Sequence, residues 1–205
     1  STGFAEYSLE PAHNVFPLPD HVDVQQASFL DVYACAVHAL RLAPVTVDDT
    51  VVVQGAGPIG LTALELYKLG GAKRVIVCDI VDKALQIAMS LGADAVINSA
   101  QVDPVAALMD LTGGQGAEVV VEAVGGNAPT FAADCKMAAR GGIVVVIGMF
   151  ARPQTLETAE VQRKEVRLVF SNSYALWNGV PEFKIALDML AASKLKAERY
   201  ITHTF

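Results

Sequence analysis

The stretch Thr50–Asp79 restricts what this chain can fold into more than any other part of it. Thr50-Val51-Val52-Val53-Gln54 is a short, β-branched apolar run, the composition of a strand buried on both faces. Gly55-Ala56-Gly57-Pro58-Ile59-Gly60 follows at once, and Leu61–Leu69 then reads as a helix that Gly70-Gly71 can stop. A second β-branched run, Arg74–Cys78, ends on Asp79. The sequence therefore encodes a strand–helix–strand unit with G-x-G-x-x-G at its first turn.

Each residue type in that turn has a chemical reason. Gly55 allows the tight turn, Gly57 lets backbone approach a pyrophosphate, and Gly60 lets the helix pack closely on the strand. The free N–H groups at the helix start, with the helix dipole behind them, favour phosphate there, and Pro58 gives up a donor the helix does not use. Ile59 lies in the same first turn. Asp79 stands 19 residues past Gly60. A carboxylate there accepts from adenosine ribose hydroxyls and repels a 2′-phosphate, so the pattern predicts NAD rather than NADP. A glycine turn with no ligand, and a merely solvated Asp79, are the alternatives. The surrounding strand, helix and acid spacing weigh against the first.

The bulk composition agrees with a core-rich globular fold. Of 205 residues, 53% are hydrophobic and 18% charged, which favours one sizeable domain with a buried sheet. No apolar run is long enough to span a membrane, and no basic-then-apolar leader is present. A net charge of −7 and a pI near 5 argue against nucleic acid or an anionic membrane as partner. Cys35, Cys78 and Cys135 are widely spaced in apolar segments, which fits free buried thiols in a reducing compartment and a cytoplasmic location.

In chain order, Phe4–Leu9 and Val15-Phe16 read as two short strands ahead of a helix over Val24–Ala43. Within that helix Asp31 sits among apolar neighbours, where a carboxylate must be paired, capped or ligated. His38, seven residues on, reads as a core histidine bonded to a carbonyl; His13, His21 and His203 read as turn or surface residues. After Asp79 come a helix over Asp82–Leu91, a strand Asp94–Asn98, and a helix Asp103–Thr112 capped by Asp103. Strand Ala117–Glu122, helix Asn127–Ala139, strands Ile143–Gly148 and Val166–Phe170, and a helix over Pro181–Ala192 complete the chain. This alternation predicts α/β architecture, a doubly wound six-stranded parallel sheet of Rossmann type, over residues 23–205. Residues 1–22 look like a β-rich remnant of another domain.

The run GAGPIGLTALELYKLGGAKRVIVCDIVDKALQIAMSLGADAVIN, with Gly3-Phe4-Ala5-Glu6-Tyr7 before it and Ile201–Phe205 after, resembles the zinc-containing alcohol and polyol dehydrogenases. These form a branch of the medium-chain dehydrogenase/reductase superfamily, and sorbitol-dehydrogenase-like members are nearest. The resemblance implies that the chain is the cofactor domain of a larger enzyme. The segments carrying most zinc ligands then lie outside it, no catalytic residue is expected within it, and the isolated domain should bind NAD weakly, without zinc. Asp31, in Leu30-Asp31-Val32 where family members more often carry Glu, corresponds to a carboxylate that can approach catalytic zinc directly or through water. Val124, Gly125, Ile147, Gly148 and Met149 correspond to the ribose and nicotinamide side, and Ser171 and Asn172 to a segment touching nicotinamide or substrate. Lys83 can reach the adenosine ribose, although the family's basic residue usually stands one position later, at Ala84 here. Ser173 replaces the Arg that polyol dehydrogenases often place before Tyr174.

The resemblance implies oxidation of a small alcohol or polyol, with zinc as Lewis acid in the intact enzyme and hydride passing to nicotinamide. It also implies a homo-oligomer joined through the sixth-strand edge. Two other readings stay open: a zinc-free NADPH-dependent quinone or enone reductase of the same superfamily, and a non-catalytic nucleotide-sensing module.

Overall fold

Each glycine- or proline-punctuated apolar run in the chain becomes one element of a layered sheet, and the computed structural model describes them over residues 5–201. The strands are β1 (Thr50–Gln54), β2 (Arg74–Asp79), β3 (Ala95–Asn98), β4 (Ala117–Glu122), β5 (Ala138–Val146) and β6 (Arg167–Phe170). All pair in parallel, in the order β3-β2-β1-β4-β5-β6. The chain winds outward from β1 in one direction, returns, and winds outward from β4 in the other. A crevice therefore opens at the carboxyl ends of β1 and β4.

Alternation along the strands fills two cores. Val51, Val53, Val75, Val77, Val119, Val121 and Val145 face one side. Val52, Ile76, Cys78, Val120, Val144 and Val146 face the other. The first side is covered by α2 (Leu30–Leu42), α3 (Pro58–Leu69), α4 (Asp82–Ser90) and α8 (Glu182–Ala191). The second is covered by α5 (Pro104–Thr112), α6 (Phe131–Met137) and α7 (Thr158–Lys164). A strand buried on both faces must be apolar at every position, which is why these strands read as continuous runs. Among the described residues no helix is long and apolar enough to cross a membrane.

The N-terminal expectations need correction. Among the described residues neither Ala5–Leu9 nor Val15-Phe16 forms a strand; Ala5 and Glu6 lie in a bend, and a 3-10 turn at Ala12–Asn14 separates the two stretches. Phe4 and His203 lie outside the described residues, as do residues 202–205. Phe16 has a partner, stacking on Phe183 of α8 at 5.3 Å, whereas Tyr7 is 90% exposed. The long helix is two: α1 (Val24–Ala27), capped by Asp23 accepting from Gln25 N at 2.8 Å, then α2. Between them Ser28 Oγ donates to Gln25 O at 2.6 Å, and Phe29 packs on Tyr200 at 5.3 Å. Helix α6 is shorter than its pattern, and β5 begins earlier, shifting register on β4 between Ala117 and Val119.

A hairpin was missed. Strands β7 (Leu176–Trp177) and β8 (Val180–Pro181) join through Asn178-Gly179, both at positive φ, the dipeptide that a tight hairpin turn prefers. His38 is also corrected: its Nδ1 lies 2.8 Å from the buried Glu182 carboxylate, not a carbonyl. Glu182 Oε2 also accepts from Ala175 N at 2.7 Å, so α2 and α8 hold the base of the hairpin together.

Glu65 joins the helical layer to the C-terminal segment. It accepts from Tyr33 Oη at 2.6 Å, from Tyr200 Oη, and from Lys196 N at 3.1 Å, while only 5% exposed. Glu65→Ala strands two buried hydroxyls, and we expect it to cost about 2–3 kcal/mol of unfolding free energy in urea titration. A cost under about 1 kcal/mol would show that the hydroxyls find other acceptors.

Candidate functional site

The turn after β1 has the geometry its glycines predict. Gly55 adopts φ +99°, and its N–H extends the β1–β2 ladder by bonding Cys78 O at 2.7 Å. A Cβ at Gly60 would collide with the Gly55 carbonyl, so only glycine lets α3 start this close to β1. Gly57 differs. It is exposed at φ −75°, and a Cβ there meets nothing within 4 Å. Space beside an exposed backbone at a helix start is what an approaching phosphate needs. The first helical bond runs from Leu61 N to Gly57 O at 2.9 Å, so the N–H groups of Ile59 and Gly60 point out of the helix end without a place in its ladder.

Asp79 is fixed beside this turn. One oxygen accepts from Ala56 N at 2.6 Å and the other from Val81 N at 2.9 Å. The carboxylate thus braces the glycine turn while remaining half-exposed at the tip of β2. Lys83 is exposed in the first turn of α4, two residues from Val81.

The remaining predicted residues gather at adjoining strand ends. Ile147, Gly148, Met149, Ser171 and Asn172 line one recess of about 300 Å³. Val124 and Gly125 lie beside it: a Cβ on Gly125 would come within 2.6 Å of Met149 N, and one on Gly55 within 2.8 Å of Val124 Cγ2. The turns after β1, β4 and β5 therefore interlock. Buried polar atoms without partners collect at the same edge. Gln54 Oε1 ends β1, Ser99 Oγ follows β3, Glu122 Oε2 ends β4 and Ser171 Oγ follows β6. Orphaned groups of this kind at strand carboxyl ends suit a polar ligand. A recess of about 770 Å³ between α4, β3 and α5, lined by Leu85, Met89 and Leu111, lies on the outer side of edge strand β3 and holds none of the predicted residues.

Asp31 is not placed as its pattern suggested. It sits exposed in the first turn of α2, where the helix N-terminus itself favours a carboxylate, so burial imposes no need for a ligand. Burial, and then the neighbouring Asp31 carboxylate, raise the Tyr174 phenol above its ordinary range. Among the described residues no group of three or more His, Cys, Asp or Glu side chains could hold a metal ion. The three cysteines are free; burial pushes the Cys78 thiol up to about 12 and those of Cys35 and Cys135 up to about 11.

The sequence reading passed over Glu122, although a carboxylate ending the apolar run Val119–Val121 poses the same question as Asp31. Its Oε1 accepts from Val124 N and Gly125 N, both at 3.0 Å, and from Thr130 Oγ1 at 2.9 Å.

Fold and crevice together define a Rossmann domain of the NAD(P)-binding kind. A family model described as zinc-binding dehydrogenase matches residues 58–192, and the chain belongs to that family. Sorbitol dehydrogenase 1 of Saccharomyces cerevisiae is 32% identical over 206 residues, covering 98% of this chain and 56% of the relative. A structure described as a short chain alcohol dehydrogenase (rspB) from Escherichia coli CFT073, complexed with NADH, superposes with TM-score 0.89 at 30% identity, covering 99% of this chain and 58% of that one. A putative zinc-binding dehydrogenase from Sinorhizobium meliloti 1021 bound to NADP superposes with TM-score 0.90 at 28% identity, covering 98% and 58%. The chain spans little more than half the length of these relatives.

The two fingerprint glycines should separate in their effects. Gly60→Ala is expected to lower stability by about 2 kcal/mol or more, because backbone must move to admit the methyl. Gly57→Ala should leave the urea midpoint unchanged. Equal losses in both would mean that Gly57 also serves packing.

Proposed function

We propose that this chain is the NAD-binding portion, residues 23–205, of a longer zinc-dependent alcohol or polyol dehydrogenase, preceded in residues 1–22 by the end of its catalytic domain. The observation that carries the cofactor choice is Asp79: a carboxylate fixed by Ala56 N and Val81 N beside the glycine turn. A ribose 2′-hydroxyl can donate to it, whereas a 2′-phosphate would meet like charge. Pro58, Ile59 and Gly60 would hold the pyrophosphate at the start of α3, and Asp79 with Lys83 the adenosine ribose. Val124, Gly125, Ile147, Gly148, Met149, Ser171 and Asn172 would line the nicotinamide half. Bound there, nicotinamide supplies the hydride chemistry; the chain's residues bind it, orient it and cover one face.

Asp31, exposed on α2, fits a position facing the rest of a longer enzyme, where it would approach zinc held by residues outside this chain. No step is derived through that metal. The zinc-free NADPH reductase reading is disfavoured by the Asp79 carboxylate. The nucleotide-sensing reading is disfavoured by the family match and by the similarity to sorbitol dehydrogenase 1 along 98% of this chain.

Calorimetric titration with NAD and NADP tests the cofactor choice. Asp79→Ala also removes an acceptor from two backbone N–H groups, so Asp79→Asn, which keeps an acceptor oxygen, is the cleaner control. The wild type is expected to favour NAD by about tenfold or more, and Asp79→Asn to narrow the gap to about threefold. Equal wild-type affinities would sink the NAD assignment.

The β6 edge supports a second part of the proposal, a homodimer. Among the described residues Arg167–Phe170 pairs only with β5, and Phe170 is 68% exposed. An open edge offers a row of free backbone groups to another strand. Sedimentation velocity should show a dimer that Phe170→Lys converts to monomer; a monomeric wild type contradicts it.

A further inference from the structure

Two carboxyl groups lie beneath the nicotinamide side of the crevice, and both are wholly buried. Glu122 ends β4 and Asp134 lies in α6, each 0% exposed. Among the described residues neither forms an ion pair. Burying one unpaired carboxylate is costly, and burying two close enough to feel each other is costlier, because like charges in a poorly polarisable region cannot both be accommodated.

Their surroundings differ in a way that decides where the charge resides. Glu122 Oε1 has three donors, from Val124 N, Gly125 N and Thr130 Oγ1, and donors stabilise the ionised form. Asp134 has none. Both its oxygens are buried without a partner, as is Glu122 Oε2. The groups bearing on Asp134 from neighbouring elements are Glu122 on β4, and the thiols of Cys78 on β2 and Cys135 beside it, both held neutral by burial. Burial first, then the Glu122 charge, hold the Asp134 carboxyl well above the usual carboxylate range. A neutral acid needs no counter-charge and gains a donor hydrogen that a carboxylate lacks.

We propose that this buried pair carries a single negative charge, on Glu122, that Asp134 is a neutral acid, and that the Glu122 charge makes it the positioning residue for the nicotinamide half of the crevice. The role in cofactor placement rests on the dinucleotide reading above. The charge assignment does not.

The positioning follows from what Glu122 holds. Its side chain gathers the N–H groups of Val124 and Gly125, and its carbonyl accepts from Ile147 N at 2.9 Å and Gly148 N at 3.0 Å. One residue thereby ties the turn after β4 to the end of β5. The fit leaves no slack at Gly148, where a Cβ would meet Glu122 Oε2 and would come within 2.5 Å of Gly125 N. With their N–H groups turned inward to Glu122, Val124 and Gly125 present the Val124 side chain, 45% exposed, to the crevice.

The test combines infrared spectroscopy, amide exchange and ligand titration on the whole chain, using Glu122→Gln, Glu122→Asp and Asp134→Asn. At neutral pH the wild type is expected to show a protonated-carboxyl C=O stretch that Asp134→Asn abolishes. Asp134→Asn imitates the neutral acid, so exchange at Val124 and Gly125 should stay within about twofold of wild type. Glu122→Gln should speed exchange at those amides about tenfold or more, and weaken NAD about tenfold while AMP stays within about twofold. Glu122→Asp, which keeps the charge one methylene short, should fall between and serves the same purpose if Glu122→Gln does not fold. A wild type without the protonated band, or a band that survives Asp134→Asn, overturns the charge assignment. Unchanged exchange in Glu122→Gln and Glu122→Asp, or equal loss of NAD and AMP, overturns the positioning role. Should the wild type bind neither NAD nor AMP, the cofactor reading fails, and the infrared and exchange results still decide the pair.

Discussion

The close approach of the start of α3 to the turn from β1 sets the position of the elements around the crevice. It exists because Gly60 has no side chain to strike the Gly55 carbonyl. With α3 seated there, its first N–H groups face the sheet's carboxyl edge, and its far side presents Glu65 and Tyr67 to α2 and the C-terminal segment. Tyr67 Oη donates to Ala39 O at 3.3 Å, and Glu65 gathers Tyr33, Tyr200 and Lys196. A helix displaced by the width of a methyl group would misplace both sets of contacts, because packed interiors transmit shifts rather than absorb them. The layer that buries the sheet and the end that faces a ligand are therefore one rigid piece.

An acidic chain with net charge −7 that receives an anionic pyrophosphate poses an electrostatic question, and the answer is local. Net charge acts over distances that salt screens, whereas backbone N–H groups at a helix start act at contact. The acidic groups nearest the crevice are each occupied. Asp79 is bound to Ala56 N and Val81 N, and Glu122 is buried and bound to three donors. Each of these carboxylates thereby holds a backbone turn in place.

How much of this was legible follows from the range of each interaction. The six parallel strands, the glycine turn and Asp79 were readable because strand burial, turn chemistry and the β2 tip are set by residues adjacent in sequence. The Asp103 cap was equally local, and it accepts from Ala106 N at 2.8 Å. What escaped depends on distant partners. Val15-Phe16 has strand composition, but among the described residues no strand pairs with it. His38 finds Glu182, 144 positions away, and nothing near either residue announces the other. Asp31 looked buried because its sequence neighbours are apolar, yet those neighbours turn inward from the helix while it faces out. The short α7 carries too few apolar residues to show a helical period. The β7–β8 hairpin had a local signal in Asn178-Gly179, hidden because only two residues flank it on each side.

Asp79 joins the shape of the glycine turn and the proposed cofactor choice in one side chain, which bears on how specificity can change in such a crevice. The oxygen that accepts from Ala56 N holds the glycine turn in shape for any pyrophosphate, whatever the ribose carries. On the proposed reading, the charge on the same carboxylate discriminates against a 2′-phosphate. Removing the residue to admit phosphate therefore loosens the turn that both cofactors need. The two roles separate only if a neutral acceptor takes over the Ala56 N–H, or if a cation nearby offsets the charge while the carboxylate stays. Lys83, exposed one turn along α4, is the basic group closest in sequence to that position. On the proposed reading, dinucleotide choice turns on charge at one fixed oxygen pair, with the backbone geometry held constant beneath it.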